Sequence, residues 1–581
     1  MVEIKGYKKI VKQLKDTKGY FARKIELKRL AKYSNEIDTV LTKYNKKSCD
    51  ETMMVKGLRK SNPETTNRKI HQEDLENIVG QVAKKLDLNE EIVKIMGKHH
   101  DIGHTFLGHS GEWWISNILE DYGLGYFCHN TLGARELVYT HEIYDEIIQK
   151  IKVHNPNISP KILGKIRKSL WLIVDGINAH NGEKPEKEYI PNVHKKEEDF
   201  TQDMLLCYTK AGYDKKITPA TPEACLMRLA DQISYIPLDM LDGLREKMIR
   251  DENGNIVTQI DEDYTQILTK LGITKQEIDE ANIKGTYGKI AERIKEILIN
   301  DVIQNSTKRK ITMSKEKMQL MNELRNLNNS KIVDNVILTE DQETYPKAIR
   351  ILMNRYKDII LQNHILHRLV NANQDLSINE ELSQYRGTPD EGFIQYICNT
   401  NAKDFKFTMQ IVEEATKQSI SDELDIARKH VQEGIAYKPK EEHGLEYDMK
   451  NARIEQYIQY YMKQLQSGEL IGYSEERKQQ EVEKIFNNIK AGKQNENYMN
   501  MSERMALSMA AKYISTLNDH EFIQLLQDTE LIDDEKYQSL TRKYKDVDLK
   551  KEVYVANKWK EIKEGQKSMT VEEDTKSPEQ K

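Results

Sequence analysis

The fourteen residues from His99 to Glu112, HHDIGHTFLGHSGE, hold four histidines, one aspartate and one glutamate. The adjacent pair His100-Asp101 offers an imidazole nitrogen and a carboxylate oxygen from neighbouring backbone positions. Such a mixed N/O pair suits a hard or borderline divalent cation: manganese, iron, magnesium or zinc. Glycines at 103, 108 and 111 allow the chain to turn tightly over such a site. His71 upstream and Asp231 downstream can complete the set. Two imidazoles and two carboxylates leave water and substrate positions open on an octahedral ion. Taken singly, His71 reads as a core histidine and Asp231 as a capped structural carboxylate, but burying either without partners is costly. Four such residues at inward helix ends favour a metal site.

The elements that must position them are helices. SNPETT at 61–66 is a turn signal. After it Leu75, Ile78, Val79, Val82 and Leu86 are spaced for one helix face, and His71 lies one turn before Leu75 on that face. Asn89 caps the next helix, with Glu90 and Glu91 favourable at its positive end. Ile92, Val93 and Met96 lead along it to His100. Thr221-Pro222-Glu223 opens a third helix, on which Met227, Asp231 and Tyr235 share a face. DENGNIV at 251–257 carries an Asn-Gly turn and predicts one small β-hairpin. Helical patterns run from about 285 to about 560, with a polar interruption at 435–447 read as a loop.

The chain has 581 residues, of which 38% are hydrophobic and 31% charged, as in soluble proteins with charged surfaces. A net charge of −5 gives no global signal for nucleic acid or an anionic membrane. The 12 prolines and abundant Lys, Glu, Gln, Leu and Ile favour an all-α fold. No apolar run approaches the length of a membrane span, and MVEIKGYKKIVKQLKD lacks the apolar core of a signal peptide. The five cysteines, at 49, 128, 207, 225 and 398, form no CxxC pair and read as free thiols in a reducing cytoplasm.

These motifs resemble the HD-domain phosphohydrolases, whose signature is H…HD…D, and within them the deoxynucleoside triphosphate triphosphohydrolases typified by bacterial dGTPases. The HD segment of that family looks like HDxGHxPFGHxGE; here it is HDIGHTFLGHSGE. An RxxH element is matched by Arg68 to His71, and ADxIxY followed by aspartate by ADQISYIPLD, with Asp231, Tyr235 and Asp239. FxHNxxxxR is matched by FCHNTLGAR, Phe127 to Arg135, and GIxxH by GINAH, Gly176 to His180. INDVIQNS at 299–306 is similar to a helical extension of the family, and AKYISTLNDHEF at 511–522 to a C-terminal segment. Three features depart from the pattern. No FRRLxxKTQV element is recognisable in 20–60, Phe106-Leu107 replaces Pro-Phe, and Leu132 stands where glutamine is usual.

The resemblance implies cleavage between the alpha phosphorus and the 5′ oxygen, giving a deoxynucleoside and inorganic triphosphate with one metal ion per subunit. It makes His109 the proton-transfer residue, with Glu112 three residues on able to hold it if that segment is helical. It places His104 and His129 at the alpha phosphate; the alternatives are His104 fixing Asp101, and His129 as a structural contact beside Cys128. Tyr235 and Asp239 would face the deoxyribose. Arg68 and Arg135 would bind phosphate oxygens, being suited to bidentate contacts, or else form salt bridges. His180 reads as structural or substrate-side, and Trp113-Trp114 as core residues. A homo-oligomer, tetramer or hexamer, follows from the same resemblance. Organisation is expected as an N-terminal helical segment 1–60, an HD core 61–245, an extension 246–330, a divergent helical region 331–500, a C-terminal segment 501–562 and a disordered tail 563–581. The competing functions are an HD phosphodiesterase or nucleotidase on another nucleotide, and a non-catalytic nucleotide sensor.

Overall fold

A computed structural model describes residues 2–45, 66–179, 188–209, 217–245, 247, 249, 256–333, 338–370, 380–432, 453–459, 480 and 501–541. The fold is all-α. Among the described residues, isolated bridges pair Tyr189 with Ile311 and Thr307 with Lys310. Of the expected hairpin, the Asn-Gly turn lies outside the described residues; Val257 N–H donates to Ile249 C=O at 3.0 Å. The tail, the 435–447 loop, His180 and Cys49 also lie outside them. No helix among the described residues is long and apolar enough to cross a membrane.

The helices that build the site are α1 (Val2–Ala31), α2 (Ser34–Asn45), α3 (Arg68–Leu86), α4 (Glu90–His99), α5 (His109–Asp121), α6 (His129–Arg135), α7 (Trp171–Asn178), α8 (Pro222–Arg245) and α9 (Tyr287–Asn305). Beyond them lie α10 (Leu338–Gln362), α11 (Ala402–Gln432), α12 (Met501–Ser515) and α13 (Asp519–Asp528). Their starts follow local chemistry. Asn67 Oδ1 accepts from Ile70 N–H at 2.9 Å and Asn89 Oδ1 from Ile92 N–H at 3.1 Å. Thr221 Oγ1 accepts from Ala224 N–H at 3.2 Å just before Pro222. Each side chain satisfies an amide that the first helical turn leaves without an internal partner. Pro237 sits inside α8, which continues through it to Arg245.

Two large apolar cores form among the described residues. The first gathers α2, α3, α4, α7, α8 and α9, among them Leu75, Ile78, Val79, Met96, Met227, Ala230 and Ile233. The second joins Phe106, Leu107, Trp114, Ile115, Ile118 and Leu132 to residues far along the chain, including Tyr345, Ile349, Phe393, Val412, Ala510, Ile514 and Phe522. The region beyond 330 therefore does not stand apart from the histidine-rich segment: α5 packs on α10 and α12. An isolated α5 would expose its apolar face, and the C-terminal helices supply the surface that covers it. The pair Trp113-Trp114 is divided by helical geometry. Trp114 is buried and tilts against Tyr345 with centroids 5.2 Å apart, whereas Trp113 is 56% exposed. Consecutive residues on a helix point about 100° apart, and on α5 that turns one indole into the second core and the other outward. Cys128, Cys207 and Cys225 are buried and Cys398 is half-buried.

Candidate active site

The first turn of α3, the end of α4 and the middle of α8 bring four donors together. His71 Nε2 lies 3.2 Å from His100 Nε2 and 3.0 Å from Asp231 Oδ1. His100 Nε2 lies 3.5 Å from Asp231 Oδ1 and 3.2 Å from Asp101 Oδ1, and Asp101 Oδ2 is 4.0 Å from His71 Nε2. His71, His100 and Asp101 are all buried.

The outer partners of these groups decide what the inner atoms can do. His100 Nδ1 sits 2.8 Å from Gly97 C=O, an acceptor only, so Nδ1 carries the proton. Ser234 Oγ donates to Asp74 Oδ2 at 2.6 Å and accepts from His71 Nδ1 at 3.0 Å. Lys295 Nζ in turn donates to Asp74 Oδ1 at 2.9 Å. These bonds assign the Nδ1–H tautomer to both rings, leaving two Nε2 lone pairs and carboxylate oxygens pointed at one small volume. Burial opposes charge on His100, yet the Asp101 and Asp231 carboxylates outweigh it and raise its pKa. Burial would raise the Asp231 carboxyl as well, and the His100 and His71 imidazoles hold it well below the usual range. The set attracts positive charge, and its mixture of imidazole and carboxylate fits a divalent cation.

The loop from Asp101 to Gly108 carries the chain from this cluster into a second one. His104, His109 and His129 face one another: His104 and His129 rings stack at 4.3 Å, and His109 lies edge-on to them at 5.3 and 5.4 Å. Glu112, one turn into α5, is 2.7 Å from His129 Nδ1 and 3.4 Å from His109 Nδ1. Its carboxylate therefore serves His129 more closely than the expected His109. Burial would raise the Glu112 carboxyl; the His129 and His109 imidazoles keep it far below the usual range and ionised. His104 is buried, and neither ring nitrogen has a hydrogen-bond partner. Burial, then Arg68 and His129, push its pKa well below the ordinary value, so the ring is neutral. It does not fix Asp101. That task falls to Arg68, whose Nη1 donates to Asp101 Oδ2 at 2.8 Å.

Two glycines make this packing possible. A Cβ on Gly103 would stand 2.1 Å from Gly133 N and 2.2 Å from His129 O, so the loop lies directly on α6. Gly108 has φ +58°, a conformation that favours glycine.

The other predicted residues divide. Asp231, Tyr235 and Asp239 are only half-buried, while the residues between them on α8 are buried. Spaced by four, they form one accessible stripe that starts at the cation-type cluster. Arg135, expected at phosphate, is engaged elsewhere. Its Nε donates to Asp404 Oδ1 at 2.9 Å, with Lys512 Nζ on Asp404 Oδ2 at 2.7 Å, all three side chains buried. A guanidinium in a closed pair inside the protein is structural. His99 also faces away, its Nε2 2.9 Å from Asp38 Oδ1 and its Nδ1 3.1 Å from Asn45 Nδ2, tying α4 to α2. Sequence reasoning missed Ser234, Asp74 and Lys295. Ser234 was within reach of it, lying three residues after Asp231 and hence one turn along α8.

No protein-family model matches the chain. Among curated proteins it is 28% identical over 273 residues to the deoxyguanosinetriphosphate triphosphohydrolase-like protein of Rickettsia felis, covering 46% of this chain and 59% of the relative. The protein of the same name from Rickettsia rickettsii is 27% identical over 271 residues, with the same coverage. That from Rickettsia akari is 25% identical over 280 residues, 48% of this chain and 60% of the relative. The chain thus spans about 60% of the length of the curated relatives it matches. Over this portion, which is less than half of its own length, the chain is a distant relative of the deoxyguanosinetriphosphate triphosphohydrolase-like proteins.

Proposed function

We propose that this protein hydrolyses deoxynucleoside triphosphates to a deoxynucleoside and inorganic triphosphate, using one divalent cation (manganese, magnesium or iron) held by His71, His100, Asp101 and Asp231. The observation that carries this reading is the arrangement along α8 and the loop after α4. A cation-type donor set opens onto an accessible stripe on one side and a histidine–glutamate cluster on the other. The names of the relatives support the substrate class.

Bound there, the cation would neutralise charge developing at the alpha phosphate and help orient water. The chain's own groups do the rest. Arg68 holds the Asp101 carboxylate in place. Neutral His104 has a ring N–H without a protein acceptor, and a phosphate oxygen is the acceptor it fits. His109 has a 59% exposed side chain and can reach substrate, with ionised Glu112 stabilising its protonated form. It hands a proton to the departing 5′ oxygen as the phosphorus–oxygen bond breaks. His129, fixed by Glu112, forms the wall against which His104 stacks. Along the stripe, Asp239 accepts from the 3′ hydroxyl and the Tyr235 ring occupies the space of a 2′ hydroxyl, which disfavours ribonucleotides.

The test is a product assay with each of the four dNTPs and added Mn or Mg, the phosphate product being separated by ion chromatography. Inorganic triphosphate is expected. Pyrophosphate or monophosphate as the sole product would move the protein to the phosphodiesterase or nucleotidase class.

A further inference from the structure

The loop that carries His104 to His109 is held from the far end of the chain. Leu107 has φ +51°, the left-handed region that a branched side chain adopts only when its surroundings impose it. Its N–H donates to Asp519 Oδ1 at 2.6 Å, across 412 positions of sequence. Asp519 opens α13 and is 1% exposed. One turn on, the Phe522 ring lies over Phe106, with centroids 3.7 Å apart and planes 13° from parallel. Phe522 also leans on Tyr345, and Tyr345 on Trp114 of α5. The backbone of α13 is itself fixed at this point, since Asn518 and Glu521 satisfy each other's amides at 2.8 and 3.0 Å.

We infer that Asp519 is a positioning residue for the reaction: it holds the strained loop at Leu107, with Phe522 clamping Phe106, so that His104 and His109 flank the cation-type cluster. The inference rests on the function proposed above for that site. His71 and Asp231 stand on α3 and α8 and His100 caps α4, all among helices of the first core, while Asp101 follows at the head of the loop and is held by Arg68 of α3. The proton-transfer cluster stands on a loop and a helix set by the second. The two halves are built by different packing, so a change at Asp519 separates them. Cation binding persists while turnover falls.

The experiment uses the full chain. D519L removes the acceptor while keeping the branched shape of the side chain, and D519N keeps a side-chain carbonyl that can still accept from Leu107. Metal content, kcat and KM for a dNTP, and hydrogen exchange of a peptide spanning residues 100–110 are measured for each. In D519L, kcat is expected to fall about 10- to 100-fold, in line with misplacement of catalytic groups by about 1 Å. Metal content and KM are expected to hold, and exchange in the loop to quicken. D519N should retain most of the wild-type kcat and protection. Unchanged kcat and loop exchange in D519L would overturn the inference, as would equal losses in D519L and D519N. If D519L does not fold, F522L takes its place, with faster loop exchange and lower kcat at constant metal content expected and wild-type values overturning it. Should the wild type release no triphosphate, the proposed function fails alone. Loop exchange and metal content then still decide whether Asp519 anchors the loop.

Discussion

Ser234→Ala tests whether the tautomer of His71 is what opens the cluster to a cation. In the wild type, Nδ1–H of this ring is buried and donates to Ser234 Oγ, which is fully buried itself and donates onward to Asp74. Without the hydroxyl, Nδ1–H loses its acceptor, at a cost of about 1–3 kcal/mol for an unsatisfied buried donor. The ring escapes that cost by moving its proton to Nε2, where Asp231 Oδ1 waits at 3.0 Å to accept it. In that tautomer the Nε2 lone pair is gone and Asp231 is spent on an internal hydrogen bond. A cation must first drive the proton back. Affinity should therefore fall by about 10- to 100-fold, the usual loss when an outer partner of a ligating histidine is removed. That is about 1.4–2.8 kcal/mol, within the span of the lost hydrogen bond. The assay is manganese binding in competition with a chelator, with circular dichroism checking the fold. A folded S234A protein that binds manganese as tightly as wild type would refute the argument, since the tautomer would then not depend on Ser234.

Other outcomes follow from the same geometry. His109→Ala should retain metal and substrate binding and lose about 10²- to 10⁴-fold in turnover; single-turnover kinetics on metal-loaded protein measure this. Tyr235→Ala should narrow the ratio of dGTP to GTP turnover, read from initial rates with both nucleotides. Asp404→Asn takes the carboxylate from the buried Arg135 guanidinium, while Lys512 keeps Glu136 Oε1 at 2.8 Å. It should destabilise the protein by about 3–5 kcal/mol, as measured by denaturant unfolding. Light scattering at micromolar concentration should find a tetramer or hexamer, and a fully active monomer would contradict that.

The sequence by itself determined the all-α class, the starts of helices such as α4 and α8, and the inward placement of His71 and His100. Those features are local. A cap such as Asn89, a proline at 222 and an apolar period of 3.6 act within a few residues, so short-range rules reach them. The stripe of Asp231, Tyr235 and Asp239 was legible for the same reason, since helical spacing alone puts them on one face. What the tertiary structure decided is everything that depends on which surfaces meet. Arg135 looked like a site residue from its motif, yet it faces Asp404 from a distant part of the chain. Glu112 was expected to serve His109, and the arrival of α6 gave it the closer partner His129. Trp113 and Trp114 are indistinguishable by composition, and only the packing of α5 against α10 and α12 buries one and exposes the other. The anchoring of Leu107 by Asp519 joins positions that no periodicity relates. A buried charge or amide finds its partner in whatever element packs nearest, and chain separation places no limit on that choice once the cores have formed.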